Sequence, residues 1–314
     1  MTEAEGVVPM QSVAGAQSPP AGGPPVCETA AEAVRAADRA ARAAGVTLRE
    51  IAELDGLVAV YQLYDNIWRP DPSNPPVTTE LLRALTKGGN YVVGAFDGDE
   101  LIGACVGFFS APADKALHSH VAGVSARGRG RSVGFALKAH QRGWALRRGV
   151  SAITWTYDPL VSRNAYFNLG KLSAAVVEYL PNFYGGMNDG INGSDESDRL
   201  FVRWQLDSPR VATACSQARA SFSDGTGAEA AVTALARSQE GGPLLGALEG
   251  ETVFVAVPRD IETLRRTHLE QARKWRAAVR DVLSALLADG ARVVGFERSG
   301  RYVVSRATVR GDAL

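Results

Sequence analysis

The sequence predicts an α/β (or α+β) protein: a mixed central sheet flanked by helices, followed by a C-terminal α+β extension. Three observations predict it. From residue 46 the strand and helix signals run β, α, α, β, β, β, α, β, α, β, β. The chain has 314 residues, more than one small domain at roughly 100–200 residues each. Its composition also changes at Pro209. The expected division is a disordered tail at 1–26, a core domain at 27–208 and the extension at 209–314.

Residues 1–26 are Gly, Pro, Ser, Ala and Gln without apolar periodicity, too little apolar surface to offset ordering the chain. The Ala/Arg/Glu-rich run 28–44 is helical by propensity and stops at Gly45, and 46–51 is a short strand. Leu57, Val60, Tyr61, Tyr64 and Trp68 form the apolar stripe of a helix at 54–68, stopped by Pro70 and Pro72. A short helix at 79–85 precedes two β-rich runs, 90–96 and 101–110, joined at Asp97-Gly98-Asp99, a hairpin turn. A strand at 118–124 leads to a helix at 132–148 ending before Gly149; 152–157 is a strand closed by Asp158-Pro159. A helix at 163–172 and strands near 175–179 and 200–206 complete the core.

Beyond Pro209, residues 212–250 are weakly periodic and carry no element signal. A strand at 251–257 follows. Asp260 is the N-cap of a helix whose phase runs from Ile261 through Leu264, His268, Trp275, Val279 and Val282 to Leu286. Unbroken, it spans about seven turns, roughly 40 Å. Residues 292–297 and 301–305 around Ser299-Gly300 read as a closing hairpin.

Apolar residues are 46% and charged residues 22%, in the range of a packed globular protein. Lys plus Arg equals Asp plus Glu at 34 each, so no global field recruits nucleic acid or an anionic membrane. Cys27, Cys105 and Cys215 have no CxxC spacing, which argues against a disulfide framework and a structural zinc site and for a reducing, cytoplasmic setting. No apolar run of about 18 residues and no signal-like N-terminus is found, so neither a membrane span nor export is expected.

The sharpest chemical signal is Val124-Ser125-Ala126-Arg127-Gly128-Arg129-Gly130-Arg131-Ser132-Val133-Gly134, at a strand-to-helix junction. Glycines let the backbone turn its amides inward, and the following helix brings its positive dipole end and unpaired N–H groups to the same point: a pyrophosphate cradle. The 43 residues from Lys115 to Tyr157 hold no acidic residue and eight cations, which predicts a basic face. The run is neither a Walker loop, lacking GKS/GKT, nor a Rossmann fingerprint in register.

This loop resembles that of the GNAT superfamily of CoA-dependent N-acyltransferases, in which an R/Q-x-x-G-x-G/A loop holds the CoA pyrophosphate and the thioester arm runs between two splayed strands. Arg129 to Gly134 match the pattern with Ser132 in place of a glycine, and Arg131 to Ala136 match in a shifted register. The likeness extends over 46–206 and looks similar to a little-studied branch in His118-Ser119-His120, in the run 154–160 ending Asp158-Pro159-Leu160, in Ser162-Arg163-Asn164-Ala165 with Phe167-Asn168-Leu169 and Lys171-Leu172, and in Pro181-Asn182-Phe183-Tyr184-Gly185. Trp275-Arg276, Arg280 and Gly295-Phe296 look similar too.

The resemblance implies transfer of an acetyl or succinyl group from acetyl-CoA or another acyl-CoA to the amino group of a small, amino-acid-like metabolite, with no metal. Cofactor contacts then fall on Val124, Arg129, Gly130, Arg131, Ser132, Val133 and Gly134. Direct attack needs a base for the ammonium proton and an acid for the thiolate. Strand alternation puts His118 and His120 on one face, and an imidazole, ordinarily near 6.5, suits the base; His120 is the first choice and His118 the second. Half-buried, hydrogen-bonded structural histidines remain the alternative.

Leu169 stands where many GNAT proteins carry the acidic tyrosine, which leaves Tyr166, Tyr184 or water. Asn164 and Asn168, four apart on one helix, are candidates for the pantetheine amides, with capping as the alternative for Asn164. Arg163, Tyr184 and Arg199 are candidate substrate contacts, and Arg276 and Arg280 weaker ones. A CoA-binding module without acyl transfer is the second reading. The extension is a candidate lid, sheet extension or homodimer interface.

Overall fold

The computed structural model describes residues 26–72, 74–187, 195–216 and 231–307. The tail expected at 1–26 lies outside them except for Val26. Seven strands build the first sheet: β1 (Thr47–Glu50), β2 (Tyr91–Asp97), β3 (Glu100–Phe109), β4 (Ala116–Val124), β5 (Ala152–Tyr157), β6 (Ala175–Leu180) and β7 (Arg199–Gln205), in spatial order β1-β2-β3-β4-β5-β7-β6. All neighbours are antiparallel except β4 and β5. It is the mixed sheet flanked by helices that the element order predicts.

The helices of this half are α1 (Val26–Ala44), α2 (Leu54–Trp68), α3 (Thr79–Lys87), α4 (Val133–Leu146) and the short α5 (Ser162–Ala165). Leu57, Val60 and Tyr64 of α2 and Leu82 of α3 bury against Val92, Ala104 and Val106 on one face of the sheet. Helix α2 stops where Arg69 turns left-handed at φ 46, directly before Pro70. On the opposite face α1 and α4 cover Tyr91, Ile102, Cys105 and Leu117. Because β3 alternates, Cys105 faces α4 while Ala104 and Val106 face α2.

A second, five-stranded sheet comprises β8 (Val232–Arg237), β9 (Pro243–Leu245), β10 (Thr252–Ala256), β11 (Arg292–Glu297) and β12 (Arg301–Ser305), ordered β11-β12-β10-β8-β9. The helices here are α6 (Pro209–Ser216), α7 (Ile261–Thr267) and α8 (Leu269–Ala288). One apolar cluster runs through both halves, from Ala30 to Val304, so the two sheets share a core.

Three expectations are corrected. The helix predicted as continuous from Asp260 is two helices, broken at His268, whose backbone (φ −146, ψ 66) is not helical. Apolar periodicity survives the break, so sequence phase alone does not reveal it. The region without element signals at 212–250 contains α6, β8 and β9, with 217–230 outside the described residues. Strand β8 carries only two β-branched residues, Val232 and Thr233, and three-residue β9 none, and both depend on pairing for their order. The helix at 163–172 is one α turn followed by a π turn at Tyr166–Lys171.

The seam between the halves is ionic and dry. The Arg276 guanidinium reaches both oxygens of Asp158 at 3.0 Å and Asp195 at 2.8 Å; Arg265 bonds Asp195 at 3.0 Å and also Asp158. These side chains are 1–6% exposed. The break at His268 separates Arg265 on α7 from Arg276 on α8, and both meet the same pair of carboxylates. Nearby, Asp198 accepts from Tyr179 Oη at 2.6 Å and Arg280 Nε at 2.8 Å.

Candidate functional site

Strands β4 and β5 are partners for three residues only: Ala116 with Ala152, Leu117 with Ile153 and His118 with Thr154. Beyond that they part, with Ser119 and Trp155 the first unpaired residues on either side of a fork. A bulge sets one extra residue of β4 at His120, because Val106 pairs with Val121 and Gly107 with Ser119. Bulges re-aim side chains and disrupt the ladder locally. The carboxyl end of β4 therefore presents backbone that has no partner on its β5 side.

That strand runs straight into the predicted cradle. A single 3₁₀ turn at Ala126–Gly128 precedes Arg129, Gly130 (φ 77) and Ser132 (φ 64, ψ 21), and α4 begins at Val133. The Ser132 side chain does not cap the helix, and the amides of Gly130, Ser132, Val133 and Gly134 make no hydrogen bond among the described residues. The cradle thus presents a group of free donors at a helix N-terminus, which is what a pyrophosphate needs.

Ser132 sits in the left-handed region in which glycine is favoured, at the very position where the sequence pattern expects a glycine. Holding a side chain there costs roughly 1–2 kcal/mol, against roughly 0.4–1 kcal/mol of unfolded-state entropy that a glycine would add. Ser132→Gly is therefore expected to leave stability unchanged or raise it by up to about 1.6 kcal/mol, whereas Gly130→Ala lowers it by up to about the same amount. Urea unfolding of both variants checks this; equal losses in the two would contradict it.

The basic face predicted for 115–157 is smaller than the run suggests, a correction, because some of its cations are paired or buried while Lys115, Arg129 and Arg147 stay exposed. Arg127 pairs with Asp97 and Glu100, Arg131 with Asp97 at 2.8 Å and with the Gly45 carbonyl at 3.0 Å. Lys138 and Arg142 are buried, 5% and 1% exposed. Arg129 is exposed at the cradle and makes no ion pair among the described residues.

On the α2/α3 face, the His118 and His120 rings lie 6.3 Å apart, each packed on Phe108. His120 Nε2 is 3.2 Å from the Pro76 carbonyl in the segment between α2 and α3. A carbonyl only accepts, so Nε2 carries the hydrogen and the neutral ring leaves Nδ1 as its basic atom. His118 Nδ1 meets Thr154 Oγ1 at 3.3 Å across the strand pair. Burial first, then the neighbouring His120 and Lys138, push His118 down to about 4, so it is neutral near pH 7 and a weak base.

Under the fork, on the α4 face, lies a polar group that sequence reading missed. Lys138 Nζ is 3.0 Å from Ser119 Oγ and 3.0 Å from Gln141 Oε1, and 3.7 Å above the Trp155 ring. Lys138 reads in the sequence as one more cation of a basic run, although Leu137 and Ala139 beside it are core residues.

Of the other candidates Tyr184 and Arg199 meet, the guanidinium 5.3 Å from the centre of the tyrosine ring, and the rest are dispersed. Asn168 is buried and its Oδ1 accepts from the Trp155 indole at 3.1 Å, while Asn164 is half-buried and makes no side-chain hydrogen bond among the described residues. Tyr166 turns its hydroxyl to Arg298 at the β11–β12 turn, 3.1 Å away. Arg163 is engaged with Glu262 of α7. Arg199 is buried, donating to the Asp198 carbonyl at 2.8 Å and to Met187 Sδ. Tyr184 is 42% exposed and its hydroxyl meets Thr156 Oγ1 of β5 at 3.0 Å, on the histidine face. Arg276 and Arg280 belong to the buried seam. Among the described residues no group of three metal-ligating side chains occurs, and no helix is long and apolar enough to cross a membrane.

No family model and no protein of curated function matches the chain. Solved structures do. Mycobacterium smegmatis RimJ in complex with CoA-disulfide is 17% identical with a TM-score of 0.44, covering 55% of this chain and 88% of its own. The ribosomal-protein-S18-alanine N-acetyltransferase from Escherichia coli is 13% identical, TM-score 0.41, over 52% of this chain and 95% of its own. An acetyltransferase of the GNAT family from Streptococcus pneumoniae is 13% identical, TM-score 0.41, over 50% and 97%.

Proposed function

We propose that the chain is a GNAT-type N-acyltransferase that moves an acetyl or succinyl group from acyl-CoA to the amine of a small, amino-acid-like metabolite. The observation that carries this reading is the parting of β4 and β5 after three residue pairs, directly before a loop whose amides open at the start of α4. The fork leaves strand backbone without a ladder partner, which is what an extended arm would bond, and the cradle has donors for a pyrophosphate at its mouth. We assign this activity to 27–208, with 209–314 as an extension that buttresses it through the Asp158–Arg276 seam.

Acyl-CoA supplies the activated acyl group as a thioester. Gly130, Ser132, Val133 and Gly134 hold the pyrophosphate by their amides, Arg129 adds charge, and Val124 and the aliphatic part of Arg131 wall the loop. Unpaired β4 backbone at the bulge polarises the reacting carbonyl. Asn164 bonds the arm, while Asn168 fixes Trp155 on the wall of the fork. His120, held through Nε2 by Pro76, takes a proton from the acceptor ammonium on Nδ1 and so frees the neutral amine to attack. His118 is its neutral neighbour. Tyr184, exposed beside Thr156, is the acceptor-side contact.

The second reading, a CoA-binding module without turnover, draws on Leu169 and on the Tyr166 hydroxyl lying at Arg298. Thiol release from acetyl-CoA and succinyl-CoA over an amine panel, with calorimetric CoA binding in parallel, separates the readings. Binding with turnover is the expected result. Binding without turnover on any amine leaves the module, and neither would overturn both.

A further inference from the structure

Lys138 is a buried ammonium with no carboxylate partner. Its side chain is 5% exposed, and among the described residues it makes no ion pair. Isolated buried cations are costly, and proteins retain them where a developing negative charge arrives or where their proton is used. Its position is specific: Ser119 and Trp155, which hold it, are the two residues at which β4 and β5 cease to pair. The ammonium therefore lies at the apex of the fork, on the face opposite His118 and His120.

We infer that Lys138 and Ser119 together are the proton source for the departing thiolate of the acyl donor, filling the role left open by Leu169. This rests on the acyltransferase reading above. As the carbon–sulfur bond breaks, its electron pair leaves on sulfur, and sulfur takes the hydroxyl proton of Ser119. Ser119 Oγ takes a proton from Lys138 Nζ, which is left as the neutral amine. Two protons leave the acceptor nitrogen as the ammonium becomes an amide, and both pass through His120 to solvent. Solvent returns one to Lys138, and the other is the net proton that the reaction releases.

The surroundings favour the transfer. Burial brings Lys138 down to about 8, close to an ordinary thiol near 8.5, so the proton moves between nearly matched groups. The groups facing it are Gln141 on its own helix, Cys105 on β3, Ser119 on β4, Trp155 on β5 and Trp204 on β7, while its charge also acts on His118 across the sheet. Cys105 is held as a thiol by burial and lies 3.7 Å from Ser119 Oγ.

The test compares wild type with Lys138→Met, which keeps the length of the stem, and Ser119→Ala, which leaves the cation in place. CoA binding is expected to change by less than about threefold, while kcat with acetyl-CoA falls about 10²-fold or more in Lys138→Met and the alkaline limb of its pH profile disappears. A readout independent of turnover is the ionisation of bound CoA, followed by thiolate absorbance. Near an ammonium the thiol titrates about one pH unit or more below free CoA, and in Lys138→Met that lowering is lost. Ser119→Ala is expected to lose kcat with the thiol shift intact. Unchanged kcat and unchanged thiol titration in a folded Lys138→Met overturn the inference alone, as does an acyl adduct on Lys138 by intact mass. A wild type that neither binds CoA nor turns over overturns the function itself.

Discussion

Asp158→Asn is expected to destabilise the protein by about 3–5 kcal/mol, the loss typical when one partner of a buried ion cluster is removed. Its carboxylate meets Arg276 through both oxygens and Arg265 through one, and all three side chains are 6% exposed or less. The neutral amide leaves the second positive charge of the pair facing Asp195 without a counter-ion in a dry seam. Arg265 Nη1 and Arg276 Nε are already buried without an acceptor, so the cluster has no spare partner to reassign. Urea and thermal unfolding measure the loss; a change under about 1 kcal/mol would show that the seam relaxes or admits water.

The same residue fixes a pH dependence. Burial alone would raise the Asp158 carboxyl, but Arg276 and then Arg265 outweigh it and hold it well below the usual carboxylate range. A group with a depressed native value stabilises the fold above its unfolded value, near 3.9, and that contribution is lost as pH falls toward the native value. The wild-type melting temperature is therefore expected to fall below about pH 4 more steeply than that of Asp158→Asn. Parallel curves from pH 7 to 3 would assign acid unfolding to other groups.

His120→Gln is expected to lower kcat for amide formation about 10²- to 10⁴-fold, with the acyl-CoA KM within a few-fold of wild type. Glutamine can still donate to the Pro76 carbonyl, so the α2–α3 segment keeps its anchor while the proton acceptor disappears. The remaining rate should follow the acceptor amine's own titration, rising with pH. His118→Gln is expected to cost less, since burial already keeps that ring a weak base. Steady-state rates from pH 6 to 9 decide it, and a His120→Gln enzyme with wild-type kcat refutes the assignment.

Much of the fold is legible in local pattern. The stripe of α2, the Gly98 turn of the β2–β3 hairpin (φ 61) and the Asp260 cap, which accepts from the Thr263 amide at 3.0 Å, all follow from residue chemistry within one or two turns of chain. The glycine-type positions of the cradle are legible for the same reason, and Ser132 keeps the left-handed geometry without the glycine. Where order depends on partners far along the chain, the pattern is mute. Strand β9 exists because it pairs with β8, and the π turn at Tyr166–Lys171 packs against β11. Arg163 and Tyr166 carry suitable chemistry, but Glu262 and Arg298 from the extension engage them.

By itself the sequence determined the order of elements in the first sheet, the strand–loop–helix cradle and the placing of two histidines on one strand face. These depend on backbone propensity and alternation, which act over a few residues. Only the tertiary structure decided which charges are free and which are spent. Asp158, Asp195, Arg265 and Arg276 are up to 118 residues apart in the chain yet form one dry cluster. Lys138 belongs in sequence to a basic run without acidic residues, but in space it is held by Ser119, Gln141 and an indole. Burial and pairing set the energy of a charge, and both are properties of the packed chain rather than of its neighbours along it.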